Sequence, residues 1–209
     1  MALALRTEKL YSPEEYLEFE RTAEVRHEYL EGEIYAMAGE SLAHSQICIN
    51  IAAEMRRSLK GGSCQALSPN MKVWAGTLGL YAYPDLTIVC GTPEFHDQKK
   101  DILLNPKVLI EVLSPSTERY DQTKKFFLYR KEIPSLTDYI LISQKIAFIE
   151  HHEKQPDGKW TFNVFEGLEG AFRLNSINCD IPLAEIYDRV EVIIPKTESD
   201  GEPFIGIQL

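Results

Sequence analysis

Lys107-Val108-Leu109-Ile110-Glu111-Val112-Leu113-Ser114-Pro115-Ser116-Thr117 is the stretch on which the reading of the fold turns. From Val108 to Leu113 every residue but Glu111 is apolar, the pattern of a β-strand covered on both faces. Ser114-Pro115 ends it, since proline gives no backbone donor to a ladder. Ser114, Ser116 and Thr117 are all competent helix N-caps. A helix is predicted from about Tyr120 to Lys131, stopping before Pro134, and Asp138 to Ser143 reads as the strand that follows.

Upstream, Ser12-Pro13-Glu14-Glu15 combines an N-cap serine, proline at the first helical position and a glutamate that closes a capping box, so a short helix should run to about Arg21. His27-Glu28-Tyr29-Leu30 and Ile34-Tyr35-Ala36-Met37 flank Glu31-Gly32 and read as a β-hairpin turning at Gly32. Between Ser41 and Lys60, Ile47, Ile51, Met55 and Leu59 recur every four residues until Gly61-Gly62, which predicts a long amphipathic helix with a glycine C-cap. Met71 to Trp74 and Asp85 to Cys90 read as strands, as do Ile146 to His152 and Trp160 to Phe165 around a Pro156-Asp157-Gly158 turn. There are no internal repeats, no G-x-G-x-x-G and no phosphate-binding G-x-x-x-x-G-K-[ST]. The order of elements describes a mixed α/β (α+β) domain built on one central sheet flanked by helices, not a βαβ nucleotide-binding fold. It is predicted to occupy residues 1–193, with 194–209 a C-terminal tail in which Pro195, Gly201 and Pro203 break any periodicity.

At 209 residues, 44% hydrophobic and 26% charged, the composition is that of a globular chain and excludes wholesale disorder. No apolar run approaches the roughly 18 residues of a membrane span, and Met1 to Arg6 is too short for a signal-peptide core, so a soluble, cytoplasmic protein is expected. Cys48, Cys64, Cys90 and Cys179 form no C-x-x-C pair, and their spacings show no zinc-ligand pairing. Cys48 and Cys90 fall in apolar stretches and read as buried free thiols of a reducing compartment. No base for a thiol nucleophile is evident along the chain.

Three polar groups stand out against apolar surroundings. Asp85 opens a strand directly after Pro84, and Glu111 interrupts the covered strand, where a carboxylate is costly unless it is paired or binds a metal. Two carboxylates on neighbouring strands make a hard oxygen site suited to Mg²⁺ or Mn²⁺. Lys124-Lys125 on the next helix could orient a metal-bound water or support developing phosphate charge. Each has a plainer reading alone: Asp85 as a turn cap, Glu111 as a sheet-edge residue or an arginine's partner, and one of the adjacent lysines as solvated. His151-His152, near a strand end, reads as a surface pair.

Tyr83-Pro84-Asp85, the Asn105 to Thr117 stretch and Tyr120-Asp121-Gln122-Thr123-Lys124-Lys125-Phe126-Phe127-Leu128-Tyr129 together resemble the Uma2 family, endonuclease-like proteins with the PD-(D/E)xK restriction-endonuclease fold. The resemblance spans about Tyr11 to Tyr187 and includes the Glu28 to Glu33 hairpin and His44 at the start of the long helix. It implies a restriction-endonuclease-like mixed sheet with an N-terminal helix and hairpin. It implies that Asp85 and Glu111 bind Mg²⁺ or Mn²⁺ with the backbone carbonyl of Val112. The lysine usually found two residues after the glutamate is replaced by Leu113, and the family alignment takes Lys125 of the next helix instead. Glu28 and His44 match further family positions and would complete the metal or water shell. Where the family often has glycine and an acid before this lysine, and aspartate at the end of the next strand, this chain has Thr123-Lys124 and Ser143.

The implied activity is metal-dependent hydrolysis of phosphodiester bonds, with DNA as substrate and a homodimer as the assembly. A net charge of −10 is awkward for a DNA binder. From Lys99 to Lys131, however, eight basic residues face four acidic ones, and this segment carries the candidate site. Two other readings share these residues: a nuclease-like module that binds nucleic acid or protein without cutting, and a metal phosphohydrolase acting on a small ester.

Overall fold

The computed structural model describes residues 9–76 and 79–195. The expected tail lies outside the described residues from 196 onward. Helix α1 (Pro13–Glu20) starts as its sequence requires: Ser12 Oγ accepts from Glu15 N–H at 3.2 Å while Glu15 Oε2 accepts from Ser12 N–H at 2.8 Å. Strands β1 (His27–Leu30) and β2 (Glu33–Ala36) form the hairpin. Its two turn residues, Glu31 and Gly32, have φ of 51° and 96°, the geometry that matches the twist of paired strands. Helix α2 (Leu42–Ser58) begins with Ser41 Oγ accepting from His44 N–H at 3.1 Å, and its periodic residues Ile47, Ile51 and Met55 are wholly buried.

The remaining strands are β3 (Cys64–Leu67), β4 (Lys72–Ala75), β5 (Leu80–Ala82), β6 (Leu86–Cys90), β7 (Ile102–Leu103), β8 (Val108–Leu113), β9 (Asp138–Ser143), β10 (Phe148–Lys154), β11 (Trp160–Glu166), β12 (Ala171–Leu174) and β13 (Cys179–Pro182). Six strands form one sheet in the order β11-β10-β9-β8-β6-β3, five form a second in the order β2-β1-β5-β4-β7, and β12 pairs with β13. Between β8 and β9 the chain is helical from Glu118 to Glu132: α3 (Glu118–Tyr120), a π-helical segment (Asp121–Lys125) and α4 (Phe126–Glu132). This crossover is what lets β8 and β9 run parallel.

Every residue of β8 is buried, as its apolar run demands, and its alternation divides the interior. Val108, Ile110 and Val112 face a core shared with α2, β12, β13 and the short helix α5 (Leu183–Ile186). Leu109 and Leu113 face a second core made with Phe126, Leu128 and Tyr129 of α4 and with β4 and β5. A third cluster packs α1 against β1, β2 and β5.

The fold class is the mixed α/β one expected, but the single central sheet of the sequence reading is realised as a six-stranded sheet, a five-stranded sheet and the β12–β13 pair. Strands β3, β5, β7, β12 and β13 have two to four residues each and carry no alternation long enough to register. The thiols also need correction. Cys64 and Cys90 are register partners on β3 and β6 and form a disulfide, so Cys90 is not free. Cys48 is free and half-buried. His151 is not at the surface: it is 1% exposed, and its Nε2 lies 2.8 Å from Asp138 Oδ1. His152 is half-buried, its ring 4.1 Å from that of Phe126. No helix among the described residues is long and apolar enough to cross a membrane.

Because Ile51 is fully buried at the centre of the α2 face, Ile51→Ala should cost about 2–5 kcal/mol in urea denaturation, whereas Ile49→Ala, on the exposed face, should stay within about 0.5 kcal/mol of wild type.

Candidate functional site

The β6–β8 register pairs Leu86 with Ile110, Thr87 with Leu109 and Ile88 with Val108; carried one step further, it sets Asp85 opposite Glu111. Alternation along β8 turns Glu111 toward the core that holds α4, where it is 5% exposed. A carboxylate there needs a partner, and the π segment supplies one: Lys125 Nζ lies 2.9 Å from Glu111 Oε1. The same ammonium donates to Glu28 Oε1 of β1 at 3.1 Å and lies 3.5 Å from Asp121 Oδ1. Three acids from three separate elements thus converge on one buried lysine, and Tyr129 OH adds a long contact of 3.4 Å to Glu111 Oε1. Glu28 is fixed in turn by the Tyr83 N–H, which donates to its Oε1 at 3.2 Å.

The π segment settles the orientation of the two lysines. Asp121 and Lys125 are its buried residues, while Lys124 is exposed and pairs with Glu31 Oε2 of the hairpin turn at 2.8 Å. A π turn inserted in a helix shifts the face that follows it, and such turns gather at functional positions.

Asp85 heads the other half of the cluster. Its Oδ2 accepts from the Val112 N–H at 2.7 Å and lies 3.3 Å from His44 Nε2. What Val112 presents to Asp85 is therefore its N–H. His44 uses its second nitrogen as well: Nδ1 lies 3.0 Å from Glu40 Oε2 and 3.5 Å from Cys48 Sγ. A base does stand beside a thiol, contrary to the sequence reading, and the four-residue spacing from His44 to Cys48 was its signal. Burial nevertheless pushes the Cys48 thiol up, with His44 pulling against it, so this is not an activated thiolate.

The electrostatics follow from crowding acids around one cation in a dry place. Burial pushes Glu111 well above the usual carboxylate range; Lys125 pulls it back, and Asp121, Asp85 and Glu28 add to the push. Asp121 is raised in the same way, first by burial. Burial opposes the charge on Lys125, but Glu111, Glu28, Tyr129 and Asp121 outweigh it and hold the ammonium protonated. For His44 burial again works downward, and its hydrogen bonds with Asp85, which accepts, and with Cys48 prevail, raising it to about 11.

Of the residues singled out in the sequence, Glu28, Glu111 and Lys125 are in contact and His44, Asp85 and Val112 are joined beside them, whereas Lys124 is turned outward to Glu31. Asp121 and Tyr129 were missed, although they stand four residues before and after Lys125, the spacing that shares a helix face. The acids around Lys125, with Asp85 beside them, offer carboxylate oxygens, which suit a hard divalent cation. The excess of acids over the single ammonium points the same way.

Residues 13–180 match the family described as Uma2, "Putative restriction endonuclease". The chain is 35% identical over 177 residues to the "Uncharacterized protein slr1290" of Synechocystis sp., covering 84% of this chain and 90% of that one. It is 30% identical over 165 residues to the same organism's "Uncharacterized protein sll1609", covering 79% and 93%. The fold is similar to the crystal structure of "a putative nuclease belonging to DUF820" from Anabaena variabilis, with a TM-score of 0.72 at 16% identity over 87% of this chain and 99% of that one. That likeness establishes a restriction-endonuclease-like fold.

Removing Lys125 would leave Glu111, Glu28 and Asp121 without their shared cation, so Lys125→Met should lose about 3–5 kcal/mol at about pH 8. Glu111 is raised in the fold, so the cost of its charge exists only above the ordinary carboxylate range and disappears as acid returns its proton. Urea denaturation repeated near pH 5 should show a smaller deficit against wild type.

Proposed function

The chain belongs to the Uma2 family, and from that premise we propose that it is a metal-dependent nuclease that hydrolyses phosphodiester bonds of DNA. The observation that carries the reading is the buried Lys125 ammonium between Glu111 and Glu28, 2.9 and 3.1 Å away. Burying one cation among several acids is expensive and seldom retained for stability alone, whereas perturbed titrating groups of this kind gather where chemistry is done.

Asp85 and Glu111 would hold Mg²⁺ or Mn²⁺, with the Val112 carbonyl as an additional oxygen and Glu28 within the same shell. Bound there, the ion supplies a water acidic enough to attack near neutral pH and offsets charge on the scissile phosphate. Lys125 holds a proton at Nζ beside Glu111 and Glu28, where it can orient that water or support charge on the phosphate oxygens. His44 steadies Asp85 through Nε2, and the Val112 N–H fixes the same carboxylate from the strand.

One feature favours a long substrate over a small ester. The outward face of α4 carries exposed Phe127 with Arg130 and Lys131 stacked on its ring at 5.6 and 5.8 Å. Cations beside an exposed aromatic ring suit a phosphate backbone with unstacked bases. This basic face offsets locally the net charge of −10. Cutting both strands of a duplex would take two copies of the site, so a homodimer belongs to the reading; sedimentation equilibrium tests it.

In a plasmid-nicking assay with Mg²⁺ or Mn²⁺, Asp85→Ala, Glu111→Gln and Lys125→Met should each lose about 10²-fold or more. Calorimetry on Asp85→Ala should show divalent binding lost together with nicking. A wild type that binds no divalent ion even with DNA present would leave the non-cutting binding module as the reading. Because burial holds Glu111 above the usual carboxylate range, its metal-holding form grows with pH, and nicking should rise as pH is raised from that range. In a separate test, Arg130→Ala and Lys131→Ala should each weaken DNA binding and reduce the slope of log affinity against log salt by about one.

A further inference from the structure

Glu40, His44 and Cys48 bring one oxygen, one nitrogen and one sulfur donor within 4.8 Å of one another at the start of α2. This set differs from the all-oxygen cluster around Lys125 and suits another kind of ion. We propose that Glu40 Oε2, His44 Nδ1 and Cys48 Sγ form a binding site for a borderline-soft divalent cation, Zn²⁺ foremost, distinct from the Asp85–Glu111 site.

The spacing fits. A tetrahedral zinc bound at roughly 2.0–2.3 Å sets its nitrogen, oxygen and sulfur ligands roughly 3.3–3.6 Å apart. His44 Nδ1 already lies 3.5 Å from Cys48 Sγ and 3.0 Å from Glu40 Oε2. Glu40 is exposed and can move the few tenths of an ångström that remain, leaving the fourth position open to solvent.

A second observation is independent of the three donors. Histidines that ligate metal through one nitrogen nearly always donate the other N–H to a carboxylate or carbonyl, which fixes the tautomer and aims the ring. Here His44 Nε2 faces Asp85 Oδ2 at 3.3 Å, and that oxygen is itself held by the Val112 N–H. The carboxylate–histidine arm of a zinc site is therefore assembled, with Nδ1 turned toward the thiol. Binding displaces the proton from Cys48 and from His44 Nδ1, so the zinc-bound form has a thiolate and a neutral imidazole. His44 then acts as a positioning residue for Asp85.

Co²⁺ is the probe, because a thiolate ligand produces a charge-transfer band in the near ultraviolet that oxygen and nitrogen donors do not. Titration of the full chain, under argon and without added thiol so that Cys64–Cys90 stays closed, should give that band at one Co²⁺ per chain, bleached by added Zn²⁺. Cys48→Ser should abolish the band, the exposed Glu40→Gln should weaken binding at least tenfold, and Cys179→Ser should leave both unchanged. Absence of a thiolate band in wild type, or a band that survives Cys48→Ser, overturns the proposal. Neither result bears on nicking with Mg²⁺, which has no thiolate ligand, so failure here is separable from failure of the nuclease reading.

Discussion

One buried ammonium, that of Lys125, sets the terms for much of the surrounding structure. Its three acidic neighbours come from the hairpin, from the central strand of the six-stranded sheet and from its own helix. Charges taken out of water repay their desolvation only when hydrogen-bond geometry is good. The two sheets and the crossover helix must therefore keep a fixed relation at this point, and the apolar contacts of Leu30, Leu109, Leu113 and Tyr129 around it supply the rigidity. Packing holds the charges in register, and the charges punish any packing that drifts.

Asp85 plays a different part. It stands where two adjacent strands leave their shared ladder, and it answers to a backbone N–H and a histidine rather than to the lysine. The long helix that carries His44 packs on the opposite face of the six-stranded sheet from α4. One carboxylate thus joins the two sides of the sheet electrostatically. The raised His44 and the raised Glu111 are the two ends of that connection.

What could be read from sequence was what neighbouring residues decide. The capping box at Ser12, the turn at Glu31-Gly32, the spacing from Ile47 to Leu59 and the apolar run of β8 each rest on a few adjacent positions, and each stands in the structure. What pairs across the chain was not legible: the division into separate sheets, the Cys64–Cys90 bridge, and the burial of His151 by an aspartate thirteen residues away. The candidate cluster lies between these cases. Asp85 and Glu111 stood out because acids are conspicuous beside aliphatics. Local chemistry left Lys124 and Lys125 open, because their difference depends on a π turn that no propensity announces.

That turn also makes the chain's length part of its chemistry. A π segment amounts to one residue more than an α-helix would use over the same rise. Five residues of π-helix turn about as far as four of α-helix, so the wide turn takes in its extra residue without rotating α4. Deleting Gln122, Thr123 or Lys124 would let ordinary helix close the gap with α4 still in register, but it would remove the step that sets Asp121 beside Lys125 in the interior. The count of residues between Asp121 and Lys125 is thus part of the site alongside their identities.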